Sequence, residues 1–161
     1  ANIELQKTGV SVEPTANIIA RTSDLKGITL NTNLVANMID EMPAFFIAAS
    51  LADGVTKVAE AKELRTKESD RLQVMSEALN SFGVKFRLER DGILINGLGK
   101  EGKFKGAEID SHGDHRIAMA SSIGSLRTDS ETTILDCLNV DTSFPNFIEV
   151  CKEVGIEIES I

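Results

Sequence analysis

Apolar and polar residues alternate along positions 1–13, Ala-Asn-Ile-Glu-Leu-Gln-Lys-Thr-Gly-Val-Ser-Val-Glu, with a break at Thr8-Gly9. A period of two around a turn signal predicts a β-hairpin. Positions 84–96, Val-Lys-Phe-Arg-Leu-Glu-Arg-Asp-Gly-Ile-Leu-Ile-Asn, repeat the pattern around Asp91-Gly92, a strong hairpin signal. After each hairpin come a loop and a Lys-Gly pair, Lys26-Gly27 and Lys105-Gly106, each preceded by a bulky apolar residue. A short strand then leads to a helix that starts at an acid: Asp40-Glu41-Met42-Pro43 in the first case, Asp114-His115-Arg116-Ile117 in the second. Both helices are apolar on nearly all sides (Ala44, Phe45, Ile47, Ala48; Ile117, Ala118, Met119, Ile123), which predicts burial. Positions 55–58 and 132–135 read as matching strands, followed by helices over 67–82 and 145–154. Each of these helices ends at a glycine, Gly83 or Gly155, suited to a left-handed cap and followed by an alternating strand. Phe144-Pro145 reads as the start of the second of them, with Ser143 as its cap.

These segments form two imperfect copies of a β, α, β, α, β, β unit, with a repeat of about 72 to 83 residues. The predicted class is therefore α/β, with repeated units whose helices are buried against mixed sheets. The chain divides into a partial unit at 1–13, a unit at 14–96 and a unit at 97–161. By the logic of the repeat, residue 1 falls just after a helix, so the chain is expected to be a piece of a longer protein.

Composition narrows the function classes. A chain of 161 residues with 42% hydrophobic and 26% charged residues can build a real core. Its net charge of -8 argues against a sequence-independent nucleic-acid surface or an anionic membrane surface. Its seven aromatics, all Phe, supply few platforms for stacked bases. No apolar run approaches the roughly 20 residues that span a bilayer. Cys137 and Cys151 sit in apolar contexts and read as buried thiols of a reduced, cytoplasmic protein.

With so acidic a chain, any anionic ligand must be met by a local cluster of cations. Glu63 to Arg71, Glu-Leu-Arg-Thr-Lys-Glu-Ser-Asp-Arg, is the densest such cluster and opens into an apolar helical pattern. Backbone N–H groups are unpaired at a helix start and the dipole there favours anions. Arg65, Lys67 and Arg71 flank Glu68, while His115 and Arg116 stand at the helix start of the second copy. Arg suits bidentate capture of carboxylate or phosphate, and Lys suits a point contact with a phosphate oxygen. Asp40 and Glu68 lie at two helix starts, where an acid ordinarily serves as a cap or dipole partner. If those starts face one edge, two carboxylates converge with the cations. His112-x-Asp114-His115 matches no closed metal site, and Gly97 to Gly102 lacks the ending of a phosphate loop and reads as a turn.

Taken together, Leu-Arg-Thr-Lys-Glu-Ser-Asp-Arg at 64–71 and Gly-Asp-His-Arg-Ile-Ala-Met-Ala at 113–120 resemble the C-terminal part of the EPSP synthase family, the 3-phosphoshikimate 1-carboxyvinyltransferases. Ile39-Asp-Glu-Met-Pro43 and Thr142-Ser-Phe-Pro145 extend the resemblance over essentially the whole chain. The resemblance implies a two-domain enzyme of βαβαββ units, of which this chain is most of the second domain and lacks the N-terminal domain. It implies transfer of the enolpyruvyl group of phosphoenolpyruvate to the 5-hydroxyl of shikimate 3-phosphate, with no metal or organic cofactor. In this likeness Asp40 and Glu68 match the two catalytic carboxylates, and Lys67 matches a lysine near the reacting hydroxyl. Arg71 and Arg116 match arginines that hold phosphoenolpyruvate, and His115 matches a neighbouring histidine. The chain alone is then expected to be inactive, because the site lies between domains. The chain departs from the family pattern at Asp141-Thr142-Ser143, where better-known bacterial members carry a lysine before Phe-Pro, and at Glu63, where some members have Asn. A sister enzyme acting on UDP-N-acetylglucosamine and a non-catalytic anion-binding module remain the alternatives.

Overall fold

The computed structural model describes residues 2–7 and 16–161. Strand β1 (Asn2–Lys7) pairs antiparallel with β2 (Ala16–Arg21), in a register that sets Lys7 opposite Ala16. The Thr8-Gly9 turn lies outside the described residues. The register pairs residues 2–7 with 16–21, so the partner strand lies further along the chain than positions 10–13, where the alternation set it.

The chain then runs through Lys26-Gly27 and a short helix, α1 (Thr32–Val35), that continues as a 3-10 turn over Ala36–Met38. The buried helix α2 (Met42–Ser50) follows, then β3 (Val55–Val58). Positions 26–29 lie parallel to 53–57 through bridges at Lys26–Asp53 and Thr29–Lys57. Helix α2 is thus the crossover of a parallel strand connection. A 3-10 turn (Lys62–Thr66) leads to α3 (Arg71–Ser81) and to the hairpin β4 (Lys85–Glu89) and β5 (Gly92–Asn96). The sheet order is β3-β5-β4, antiparallel throughout. The predicted hairpin forms, with Arg90-Asp91 as its turn. Gly92 is already in the strand, where a Cβ would sit 2.2 Å from the Val58 carbonyl oxygen.

The second unit repeats the crossover. Strand β6 (Glu108–Asp110) pairs parallel with β7 (Thr133–Leu135), and α4 (His115–Gly124) connects them. The two Lys-Gly pairs do the same job in both units. A Cβ on Gly27 would meet Val55 carbonyl oxygen at 2.5 Å, and one on Gly106 would meet Glu131 carbonyl oxygen at 2.3 Å. Each glycine lets its segment press against the strand that follows the crossover helix.

Helices α5 (Leu138–Ser143) and α6 (Phe147–Glu153) close the described chain. Ser143 therefore ends a helix instead of capping the next one, which starts after Asn146 without a side-chain cap. Gly83 and Gly155 take the expected left-handed conformation, with φ of 78° and 86°. Residues 156–161 form no strand; Ile156 and Ile158 pack instead against the small cluster of Ala118, Val140, Phe147 and Cys151.

One larger core joins both units: Met42, Phe46, Leu72 and Ile93 of the first meet Phe104, Ile109 and Ile117 of the second. Phe82 and Phe104 stack with ring centroids 4.8 Å apart. Each large apolar side chain so buried contributes about 2 kcal/mol. The helices α2 and α4 are not covered on all sides. Between them runs a cleft of about 200 Å³, lined by Pro43, Ala44, Ile47, Met119 and Ile123, with Asp40 and Arg116 at its rim.

Candidate active site

Three helix starts converge on one guanidinium. Arg71 is the first residue of α3 and has no exposed surface. Its Nε donates to Asp114 Oδ2 at 2.8 Å, its Nη1 donates to Asp40 Oδ1 at 2.9 Å, and its Nη2 pairs with Glu68. Burial works against the charge on Arg71, but the bonds to Asp114 and Asp40 outweigh it and raise its pKa above the ordinary value.

The approach to α3 explains why Glu68 is free to point outward. Asp70 is the N-cap, accepting from the Gln73 amide at 3.0 Å, so Lys67, Glu68 and Ser69 precede the helix in a bend. The expected place of Glu68 in the first turn is thus corrected: the capping role went to Asp70. Nor is Asp40 a cap. Helix α2 starts after Glu41 with no side-chain cap and with Pro43 in its first turn, where a missing donor is tolerated. The Asp40 carboxylate, 46% exposed, faces cations: Arg71, Lys67 Nζ at 3.9 Å and Arg116 Nη2 at 3.5 Å. The hydrogen bond from Arg71 outweighs the opposing effect of burial and, with the nearby charges of Arg116 and Lys67, holds its pKa below the usual carboxylate value.

Arg116 also donates to the Asp40 carbonyl oxygen at 3.1 Å and to Glu41 Oε1 at 3.3 Å. The structure thereby gathers Asp40, Lys67, Glu68, Arg71 and Arg116. His115 is the first residue of α4 and half-buried beside Arg116, and the ion pairs of the cluster do not pass through its ring. Arg65 turns away: it binds the β4–β5 hairpin through the Arg90 and Glu89 carbonyl oxygens and pairs with Asp70. Thr142 is exposed on α5.

Asp114, in the sequence the acid that starts α4 and the middle of a His-x-Asp-His run, has a further role. It does cap that helix, accepting from the Arg116 amide at 3.0 Å, but its other oxygen meets Arg71 and the Ser69 hydroxyl, the latter at 3.0 Å. The available signal was the repeat itself, which sets Asp40 and Asp114 at matching positions.

Parallel crossovers with buried helices, whose starts carry paired acids and cations to one edge, define an α/β protein of the enolpyruvyl transferase-like fold. A solved structure of EPSP synthase from Acinetobacter baumannii superposes with a TM-score of 0.93 at 43% identity, covering 98% of this chain and 37% of that one. Among curated proteins, the 3-phosphoshikimate 1-carboxyvinyltransferases of Methylococcus capsulatus and Nitrosococcus oceani are 46% and 48% identical. They are matched over 99% and 98% of this chain, and over 36% and 35% of their own lengths. The family model described as EPSP synthase (3-phosphoshikimate 1-carboxyvinyltransferase) matches residues 2–151. The chain belongs to the EPSP synthase family and spans about a third of the length of these relatives.

Proposed function

We propose that this chain supplies one wall of a site that transfers the enolpyruvyl group of phosphoenolpyruvate to the 5-hydroxyl of shikimate 3-phosphate, releasing phosphate. The rest of the site then comes from the portion of the relatives' length that this chain does not span, and the chain alone is inactive. The observation that carries the reading is the sharing of Arg71 by Asp40 and Glu68, with Lys67 and Arg116 alongside.

Addition of the hydroxyl to phosphoenolpyruvate needs a base for the hydroxyl proton and an acid for the methylene carbon. Asp40, kept ionised by Arg71 and Arg116, suits the first task, and Glu68 serves the second. Elimination of phosphate then returns a proton from the new methyl group to a carboxylate. Lys67 and Arg116, both partly exposed, meet substrate anions; Arg71, buried beneath Asp40 and Glu68, reaches one only when an acid moves aside, and His115 lines the same helix start as Arg116. The unit division and a cytoplasmic setting belong to this reading; the two free thiols, Cys137 and Cys151, support the latter. Among the described residues no helix is long and apolar enough to cross a membrane.

The test is made in the full-length protein. Glu68→Gln should lower kcat by about 10²-fold or more while calorimetry still detects both substrates. Absence of product from the wild-type protein, or full turnover by the variant, would overturn the reading.

A further inference from the structure

Asp114 is the most deeply placed acid of the cluster and has no part in the chemistry proposed above. Its carboxylate has no exposed surface, and both oxygens are committed. Oδ1 accepts from the Arg116 amide, while Oδ2 accepts from Arg71 Nε and Ser69 Oγ. A buried carboxylate persists only when paired and hydrogen-bonded, and this one has a cation and two neutral donors.

Those bonds reach three functional segments at once. Ser69 adjoins Glu68, the Arg116 amide belongs to a cation of the site, and Arg71 carries Asp40 and Glu68 on its other nitrogens. A guanidinium is rigid and planar, so fixing its Nε edge fixes where Nη1 and Nη2 lie. The Nε edge meets an acid with no exposed surface, whereas the Nη edges meet carboxylates that are 46% and 50% exposed.

We propose that Asp114 is a positioning residue which, through Arg71 and Ser69, holds the carboxylates of Asp40 and Glu68 in the spacing and charge balance that proton transfer needs. The proposal rests on the enolpyruvyl-transfer reading. The charged groups facing one another here are Arg71 on α3, Lys67 and Glu68 ahead of it, Asp40 and Glu41 ahead of α2, and Asp114 and Arg116 at the start of α4. Asp114→Asn keeps the shape and the capping oxygen but removes one negative charge. Arg71 then shares its charge between Asp40 and Glu68 alone, which favours their ionised forms.

The experiment is kcat against pH for the full-length enzyme carrying Asp114→Asn, beside Ser69→Ala, which leaves both buried charges in place. The acid limb of Asp114→Asn should move to lower pH by about half a unit or more, and Ser69→Ala should lose kcat several-fold per folded molecule while still folded at the assay temperature. A folded Asp114→Asn with an unmoved acid limb overturns the proposal, since a purely structural role predicts fewer active molecules and the same profile. If Asp114→Asn does not fold, wild-type kcat in Ser69→Ala overturns it. A wild-type enzyme with no transfer activity would instead sink the reading on which the proposal rests.

Discussion

Asp40 and Asp114 stand at the same point of two successive units, ahead of a buried crossover helix, yet their surroundings are opposite. Asp40 is nearly half exposed, caps nothing and faces three cations. Asp114 is fully buried and caps α4. The approach to each helix makes the difference. Before Asp114 the chain passes through His112 and Gly113, both with positive φ (51° and 70°), whereas Asp40 follows the 3-10 turn at Ala36–Met38. The partner is asymmetric too. Arg71 starts α3 in the first unit, while α6, its match in the second, starts with Phe147-Ile148 and has no cation in its first turn. A repeat can therefore place the same side chain twice and leave its task to the neighbours.

The sharpest way to break this comparison is to remove each acid in turn. Asp114→Ala strips a buried cation of a partner and α4 of its cap, and should cost about 3 kcal/mol or more in urea denaturation. Asp40→Ala loses only partly exposed pairs and should cost about 1 kcal/mol or less. Equal losses would show that the two positions are not energetically distinct. The units should look alike where their glycines do: Gly27→Ala and Gly106→Ala each force a Cβ onto backbone and should each cost about 1 to 3 kcal/mol. A large cost at one and none at the other would deny the shared role.

The smallest effect lies in pH. Because the pKa of Asp40 is lowered in the folded state, its pairing stabilises the protein above the ordinary carboxylate value and is lost as pH falls through the lowered one. The stability difference between wild type and Asp40→Asn should therefore shrink as pH drops below about 4, by a few tenths of a kcal/mol. A difference that grew on acidification would reverse the sign assigned to this pairing.

Much of the crossover architecture could be read from period and punctuation. Lys26-Gly27 and Lys105-Gly106 marked both units, and Gly83 and Gly155 marked two helix ends. The errors arose where local signals compete. Ser69 and Asp70 are both able to cap α3; geometry selects Asp70, so the helix starts at Arg71 and not at 67. Gly92 looked like a turn residue, but its missing Cβ serves the approach of Val58. Alternation at the end of the chain predicted a strand, yet a strand needs a partner, and Ile156 and Ile158 found the flank of α4 and α6 instead. The contact least legible of all was the ion pair of Arg71 and Asp114. Nothing local to either residue signals the other, because the pair exists only once three helix starts meet.

The stacked rings of Phe82 and Phe104 have a further consequence. One belongs to the end of α3 and the other to the first stretch of the next unit, and both lie in the core that the units share. In repeat arrays whose units touch only at modest seams, single units can fray while the rest persists. Here no seam separates the copies: melting either one exposes an aromatic face of the other. The two units should therefore lose their slowest-exchanging amides together, as a single cooperative body in which the repeat of the sequence leaves no trace in how it comes apart.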